Sequence, residues 1–412
     1  MKMQYEIQAL SSVYGRLRHI FLVFPGSISG PDELYRKFRG LIQGMPRGLE
    51  YTVLALQSKS RRYSVQFRPW TAHVSEFQLE SSASGRHKAV EAKFRCILVD
   101  TEDKQCQLHR WAQDYFYVLK RGDQTLLLNT IRIDSRGKNA ASFVAEYLAS
   151  CSDFYVKPFR FEFEGGDILV ADDYLLAGKS LIQKNYRQES FHNVRDLKRH
   201  LTPELCRQFG VETVLWLDEE IIDDSFHVLC SNEKKEIQSL LHHIDLYVTL
   251  GGRSHNNAEI IFIAQVQDRY CHESNRAMRP VQYMRQALNR LAANLADKTI
   301  NGRQFEVVRL PMVIDYKNGP DARIIPRSFN NCLVEVYDNV KRMYLPDYTS
   351  DDPLRKSLFD RAKNQTARIL RKHHFKLKFI DYNFVSKTDR RGSLHCLVKV
   401  LERANLNNRH LG

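Results

Sequence analysis

The feature that most limits what this chain can fold into is an alternation running from one end to the other. Short apolar stretches rich in β-branched and aromatic residues are followed again and again by amphipathic helical ones. "HIFLVFP" (19–25) reads as a strand, "PDELYRKFRGLIQG" (31–44) as a helix opened by Pro and closed by Gly, and "YTVLALQ" (51–57) as the next strand. Further helices are expected near 139–150, 193–209, 281–297 and 353–373. Five helices with strands between them describe repeated strand–helix units of an α/β fold. No Pro/Gly/Ser-rich break divides the chain, so residues 1–412 read as a single domain, with a first unit over about 19–100 and motif-bearing units over about 101–401. Element order leaves two architectures open, a cyclic α/β domain and a doubly wound sheet, because periodicity does not close a ring.

Composition narrows the class. At 412 residues, 43% hydrophobic and 11% aromatic, the chain can bury a sizeable core. Apolar runs such as "IFLVF" (20–24) fall well short of the roughly 20 residues a membrane span needs, and the first residues lack a basic segment followed by an apolar one. The expected location is therefore cytoplasmic, with export by a route that uses no signal peptide left open. The eight cysteines form no CxxC pair and no zinc-spaced cluster, which suits a reducing compartment and makes most of them core thiols. A cysteine used for chemistry must then be singled out by its neighbours.

The net charge of +14 is spread in short groups such as "SRRY" (60–63) and "RKHHFK" (371–376). Solvated helix faces are the ordinary reading of such groups, and a surface for an acidic protein is the functional one. No RNP-type aromatic pattern, zinc finger or helix-turn-helix signature points to nucleic acid, and no acidic run has calcium-loop spacing.

Four short stretches stand out at or beside expected strand ends: "RWAQDYFYV" (110–118), "FEGGDILV" (163–170), "HHIDLYV" (242–248) and "GSLHCLV" (392–398). Each alone has a plain structural reading. Paired glycines make hairpin turns, Asp114 can cap a turn, His-x-Asp recurs by chance, and Cys396 can be a core thiol at the head of a strand. Together they hold one thiol, one imidazole and three carboxylates: Cys396, His243, Asp114, Glu164 and Asp245. Thiol plus imidazole suggests nucleophilic catalysis. Ordinary acyl transfer leaves the carboxylates unexplained, whereas a guanidinium, with five N–H donors in one plane, is well held by carboxylates at its edges.

The ordered set W-x-x-D, E-G-G-D, H-x-D and L-H-C resembles the pentein superfamily of guanidine-modifying enzymes, in particular its agmatine deiminase and peptidylarginine deiminase branch. The match runs over Arg110 to Leu401, about seven-tenths of the chain. The resemblance implies a five-bladed α/β propeller, with Cys396 as nucleophile and His243 as general acid and base. It also implies that Asp114 and Asp245 grip the guanidinium nitrogens and that Glu164 orients the imidazole. Neither a metal nor a redox cofactor is expected. Trp111 either walls the pocket by cation–π stacking or belongs to the core.

Hydrolysis of an arginine-like guanidinium to a citrulline-type product and ammonia leads, with a peptidyl or protein arginine ahead of agmatine or free arginine. Transfer of the amidino group to an amine, and a binding protein without turnover, are the alternatives. Departures from the family pattern bear on substrate. Gln113 stands where agmatine deiminases usually have Arg, and "DRRGSLHC" replaces their glycine run before His-Cys. Arg390 and Arg391 could bind a substrate carboxylate or a peptide carbonyl, or be a solvated loop. If extended, the flanking segments would turn His242 and His395 to the opposite face, in structural roles.

Overall fold

The computed structural model describes residues 6–28, 31–57, 73–79, 92–99, 108–130, 133–134, 137–138, 140–188, 191–217, 241–273, 278–317, 323–387 and 392–404. Within them the chain divides into two compact units. The first comprises Met1–Leu10, Gly15–Gly165 and Cys396–Gly412, and the second comprises Ser11–Tyr14 and Gly166–His395.

The first unit holds two large sheets and a two-stranded one, Ile133–Asp134 with Gly137–Lys138. In one of the large sheets, Val398–Ala404 pairs antiparallel with Arg16–Ile28, the helix Pro31–Gly44 crosses over, and Glu50–Gln57 returns parallel to Arg16–Ile28. Ala92–Val99 and His73–Leu79 extend that sheet. In the other, Tyr117–Arg121 pairs antiparallel with Gln124–Thr130, the helix Ala140–Ser150 crosses over, and Phe154–Phe159 returns parallel. A parallel return needs a crossover of a dozen or so residues, and the helices supply it.

The second unit repeats the same order three times. Ile168–Val170 and Tyr174–Gly178 are antiparallel, the helices Lys179–Gln188 and Val194–Phe209 follow, and Thr213–Leu217 returns parallel. Val248–Arg253 and Glu259–Cys271 lead through the helix Arg279–Ala296 to Arg303–Lys317. Leu333–Tyr337 and Val340–Pro346 lead through Pro353–Lys372 to Lys376–Ile380.

The five helices expected from sequence are present, and their ends show why they were legible. Asp352 caps its helix by accepting from the Leu354 and Arg355 amides, with Pro353 in the first turn. Val194–Phe209 ends at Gly210 with φ 64°, a left-handed cap that glycine adopts at no steric cost. Leu197, Leu201 and Leu205 bury one stripe of that helix, and Met284, Leu288, Leu291 and Leu295 do the same for Arg279–Ala296. The helix Lys179–Gln188 was not anticipated, since "YLLAGKSLIQKNY" runs from strand to helix without a break.

In each unit the polar motifs occupy the same place in the repeat. A short turn precedes the leading strand: Ala112–Asp114 before Tyr117, Gly165–Asp167 before Ile168, Ile244–Leu246 before Val248, and Leu394–Leu397 before Val398. The remaining repeat has Asn330 and Asn331 just ahead of Leu333. Leu10, Phe21, Ile97, Val118, Leu127 and Leu148 form a core in the first unit, and Ala112, Tyr115 and Phe116 are plugged into it. The turn carrying Asp114 is thus held from below by packing.

Candidate functional site

The approach to the first motif is set by His109 and Tyr115, whose rings stack with centroids 4.3 Å apart. The Tyr115 hydroxyl accepts from the His109 amide at 2.7 Å and donates to its carbonyl at 2.8 Å. Burial lowers the pKa of the His109 imidazole, and the Glu164 carboxylate opposes the shift. Trp111 and Asp114 are half-buried on either side of the buried Gln113. Gln113 Nε2 donates to the Gly165 carbonyl at 3.2 Å. A Cβ on Gly165 would stand 1.9 Å from the Gln113 carbonyl oxygen, so only glycine fits there. Glu164, half-buried, is the residue just before it.

Cys396 is 4% exposed, in a single helical turn that runs directly into the strand Val398–Ala404. On that strand Lys399 is buried, with Nζ 3.3 Å from the Gln113 carbonyl and 4.2 Å from the Tyr117 ring centroid. The first unit therefore holds the thiol and the carboxylates of Asp114 and Glu164.

The second unit holds the imidazole. His243 is buried at the N-terminal cap of the turn Ile244–Leu246, and its ring stacks on the exposed His242 at 4.3 Å. Ile244 is seated against Gly178, where a Cβ would lie 2.5 Å from its Cγ2. Gly166 gives the imidazole its room, since a Cβ there would fall 2.5 Å from His243 Nδ1. On the far side of the ring, Asp167 Oδ1 stands 3.8 Å from His243 Nε2. Asp167 is fully buried, accepting from Ser180 Oγ and, at 2.6 Å, from Lys184 Nζ.

Asp245, 1% exposed, has Oδ2 2.8 Å from His395 Nδ1 and 3.1 Å from Asn331 Nδ2. Asn331 is the centre of a wider net. Its Nδ2 also reaches the Asp245 carbonyl, its Oδ1 accepts from the Ser393 amide at 2.9 Å, and its carbonyl accepts from the His395 amide. Tyr348 Oη joins Ser393 Oγ at 3.1 Å. The second unit thus supplies an imidazole flanked by one carboxylate and, two residues on, a second carboxylate held by an amide and another imidazole.

Of the residues expected to act, Trp111, Asp114, Glu164 and Cys396 lie in the first unit, and His243 and Asp245 in the second. His243 and Asp245 share one turn, and Asp114 and Trp111 another. Arg391 and Arg390 lie outside the described residues.

The extended conformation that would have turned His395 away does not occur. His395 lies inside the helical turn Leu394–Leu397 and meets Asp245, whereas His243 keeps an extended backbone just ahead of its turn and His242 faces solvent. Nor is "EGGD" a hairpin turn, because neither glycine has a positive φ and both are required by close approach instead. Asp167, Asn331 and Lys399 were missed. Asp167 and Asn331 were findable from the phase of the repeat, since both stand just ahead of a leading strand; Lys399 gave no such signal.

No protein-family model matches the chain, and no curated protein matches it by sequence. Solved structures do. An agmatine deiminase of C. jejuni superposes with a TM-score of 0.55 at 13% identity over 96% of both chains. A "putative agmatine deiminase" superposes at 0.59 and 12% identity, over 96% of this chain and 95% of that one. A "putative peptidyl-arginine deiminase" superposes at 0.55 and 13% identity, over 96% and 98%. At such identities the likeness is one of fold, and it extends over nearly the whole chain.

Proposed function

We propose that this chain, which has the α/β fold of agmatine deiminases, is a guanidino-group hydrolase. Its substrate is an arginine-like guanidinium, with a peptidyl or protein arginine as the preferred form, and its products are a citrulline-type urea and ammonia. The observation that carries the reading is positional. Asp114, Asp167, His243, Asp245 and Cys396 all stand on the short turns that precede leading strands, in repeats of one fold shared with deiminases. Fold alone does not assign chemistry; the residue types on those turns are what support this one. The reading takes residues 1–412 as one pentein domain whose five repeats are the blades of an α/β propeller.

Each residue then has a role. Asp114 and Asp245 hold the edges of the planar cation and fix its carbon for attack. Cys396 attacks as thiolate, forming the C–S bond of a tetrahedral adduct, which collapses as the C–N bond breaks. His243 delivers a proton to the departing nitrogen, which leaves as ammonia, and a covalent thiouronium remains on Sγ. The same imidazole takes a proton from water, the resulting hydroxide adds to the carbon, and the C–S bond breaks to release the urea and the thiolate. Glu164 and Asp167 support the protonated imidazole, with Asp167 Oδ1 at 3.8 Å from Nε2. Trp111 and Arg391 are assigned to the substrate's approach, as a ring wall and a partner for its carboxylate or carbonyl.

Away from these turns, a groove of about 650 Å³ on the helix Val194–Phe209 is lined by Arg195, Lys198, Trp216 and Arg199, the last paired with Asp196, which also lines it. With the net charge of +14, it is the face offered to an acidic protein partner. Among the described residues no helix is long and apolar enough to cross a membrane. The six described cysteines are all free, and the reading places the chain in the cytoplasm.

The test is ammonia release from an arginine peptide, agmatine and free arginine, with Cys396→Ala as control. The expected outcome is turnover of at least one guanidinium, fastest for the peptide, and a loss of about 10³-fold or more in the variant. Turnover that survives Cys396→Ala removes the covalent route, and no turnover of any guanidinium removes the reading.

A further inference from the structure

Lysine is among the residues least often fully buried, and burying its ammonium is unfavourable unless acceptors or π faces compensate it. Lys399 is 3% exposed in the strand Val398–Ala404, three residues after Cys396. It shares a strand face with Leu401, which belongs to the core of the first unit. Its Nζ lies 3.3 Å from the Gln113 carbonyl oxygen, 4.2 Å from the Tyr117 ring centroid and 5.9 Å from that of Phe116. Both ring distances are within cation–π range. These three partners come from one short segment, and they bracket Asp114.

Gly165 closes the arrangement from the other side. Its carbonyl accepts from Gln113 Nε2, and a Cβ on it would stand 1.9 Å from the Gln113 oxygen and 3.1 Å from Lys399 Nζ. One ammonium, one amide side chain and one bare Cα therefore meet where three segments cross: the turn presenting Asp114, the residue following Glu164, and the strand that carries on from Cys396. An apolar side chain could fill this space, but it could not hold the carbonyl.

We propose that Lys399 is a positioning residue. Through the Gln113 carbonyl it fixes where the turns carrying Asp114 and Glu164 stand relative to the Cys396 strand. Its consequence for catalysis rests on the deiminase reading, whereas the clasp itself does not. A displacement of about 1 Å in a substrate-holding carboxylate costs roughly 10²-fold in rate, which sets the expected effect.

The experiment compares wild type with Lys399→Met, which keeps the length of the stem without its charge, and Lys399→Arg. Should Lys399→Met not fold, Lys399→Gln takes its place. In the folded variant kcat/KM for an arginine peptide is expected to fall about 10²-fold, with KM raised and kcat lowered, and Lys399→Arg is expected to recover part of the loss. A merely structural lysine would lower the melting temperature and leave kcat and KM of the folded protein at wild-type values, and that result overturns the proposal.

Hydrogen exchange supplies a readout that needs no substrate. Amides of residues 110–118 and 163–168 are expected to exchange about tenfold faster in Lys399→Met, with the helix Pro353–Lys372 unchanged. Unchanged exchange in both stretches also overturns the clasp. If wild type turns over no guanidinium, the deiminase reading fails while exchange still judges the clasp.

Discussion

In the first unit the motif turns are held through backbone atoms: the Gln113 carbonyl takes the Lys399 ammonium, the Gly165 carbonyl takes the Gln113 side-chain amide, and a Cβ on Gly165 would collide with the Gln113 oxygen. In the second, side-chain to side-chain contacts are added to backbone ones: Asn331 and His395 share Asp245 Oδ2, and Lys184 and Ser180 share Asp167, while Asn331 also meets the Asp245 carbonyl and the Ser393 amide. The difference teaches where each unit tolerates error. A backbone carbonyl in a packed turn cannot yield without moving the turn, while a side chain can turn to another rotamer at modest cost. Alterations that press directly on a backbone oxygen, as a Cβ on Gly165 would, should therefore damage the fold most, while those that displace a side chain, as a Cβ on Gly166 would, should damage geometry first.

The sharpest break of that comparison uses the two glycines of "EGGD". Gly165→Ala drives a Cβ to 1.9 Å from a backbone oxygen, whereas Gly166→Ala drives one to 2.5 Å from an imidazole nitrogen. Gly165→Ala is expected to cost about 4 kcal/mol or more and to leave little folded protein in a thermal melt. Gly166→Ala should fold, with ammonia release down by about 10²-fold because His243 has been pushed aside. Equal melting temperatures for the two variants would end the distinction.

Next in size is Asn331→Ala in the second unit. It removes a fully buried amide and strands the Ser393 amide and a face of Asp245, at about 3 kcal/mol in urea unfolding. The side-chain logic of this unit predicts that the folded remainder keeps its secondary structure and loses substrate affinity. A change below about 1 kcal/mol would mean that His395 alone holds Asp245.

Acid should separate the units as well. His19, on a strand of the first unit with Nε2 2.8 Å from Thr52 Oγ1, has its pKa lowered by burial from 6.5 to about 4. Its folded state binds fewer protons than its unfolded state, so this stabilisation is present above 6.5 and is lost as pH falls toward 4. Between about pH 7 and about pH 5 the loss is about 2 kcal/mol. His19→Asn should flatten that slope. Buried thiols respond to alkali in both units: burial pushes Cys96 of the first unit up to about 11 and Cys332 of the second up to about 12, so their contributions are present at neutral pH and are lost above 9 as alkali favours the unfolded thiolate. Hydrogen exchange at about pH 5 should show the strands of the first unit opening before those of the second. Simultaneous opening would argue that His19 is not the acid-sensitive group.

The sequence was informative where chain punctuation and periodicity are local. Pro31, Gly44, Pro353 and the leucine stripe of Val194–Phe209 announce helices without any help from tertiary structure. The motif turns were legible as residue types in order, but their conformations were not, because a three-residue turn has no period to read. Lys399 was illegible for a different reason. In "VKVLERA" neither face is cleanly apolar, so a lysine there reads as solvated, and only the rings of Phe116 and Tyr117 and the Gln113 carbonyl, brought from nearly 290 positions away, make it a buried cation. Asn331 likewise belongs to "SFNNCL", whose meaning comes from standing one repeat beyond His-x-Asp.

The smallest effect serves as the measure for the others. Asp352 caps the helix Pro353–Lys372, its Oδ1 accepting from the Leu354 amide at 2.9 Å and the Arg355 amide at 3.2 Å. It is exposed and remote in function from the motif turns, so Asp352→Ala should cost about 1 kcal/mol of stability and leave kcat/KM unchanged. That loss is also what a general weakening of the second unit looks like without any change at a turn. If Asn331→Ala and Asp352→Ala reduce kcat/KM of the folded protein equally, the net around Asp245 is only a stability device. If activity falls for Asn331→Ala alone, what matters in that unit is where its side chains are aimed rather than how firmly it is folded.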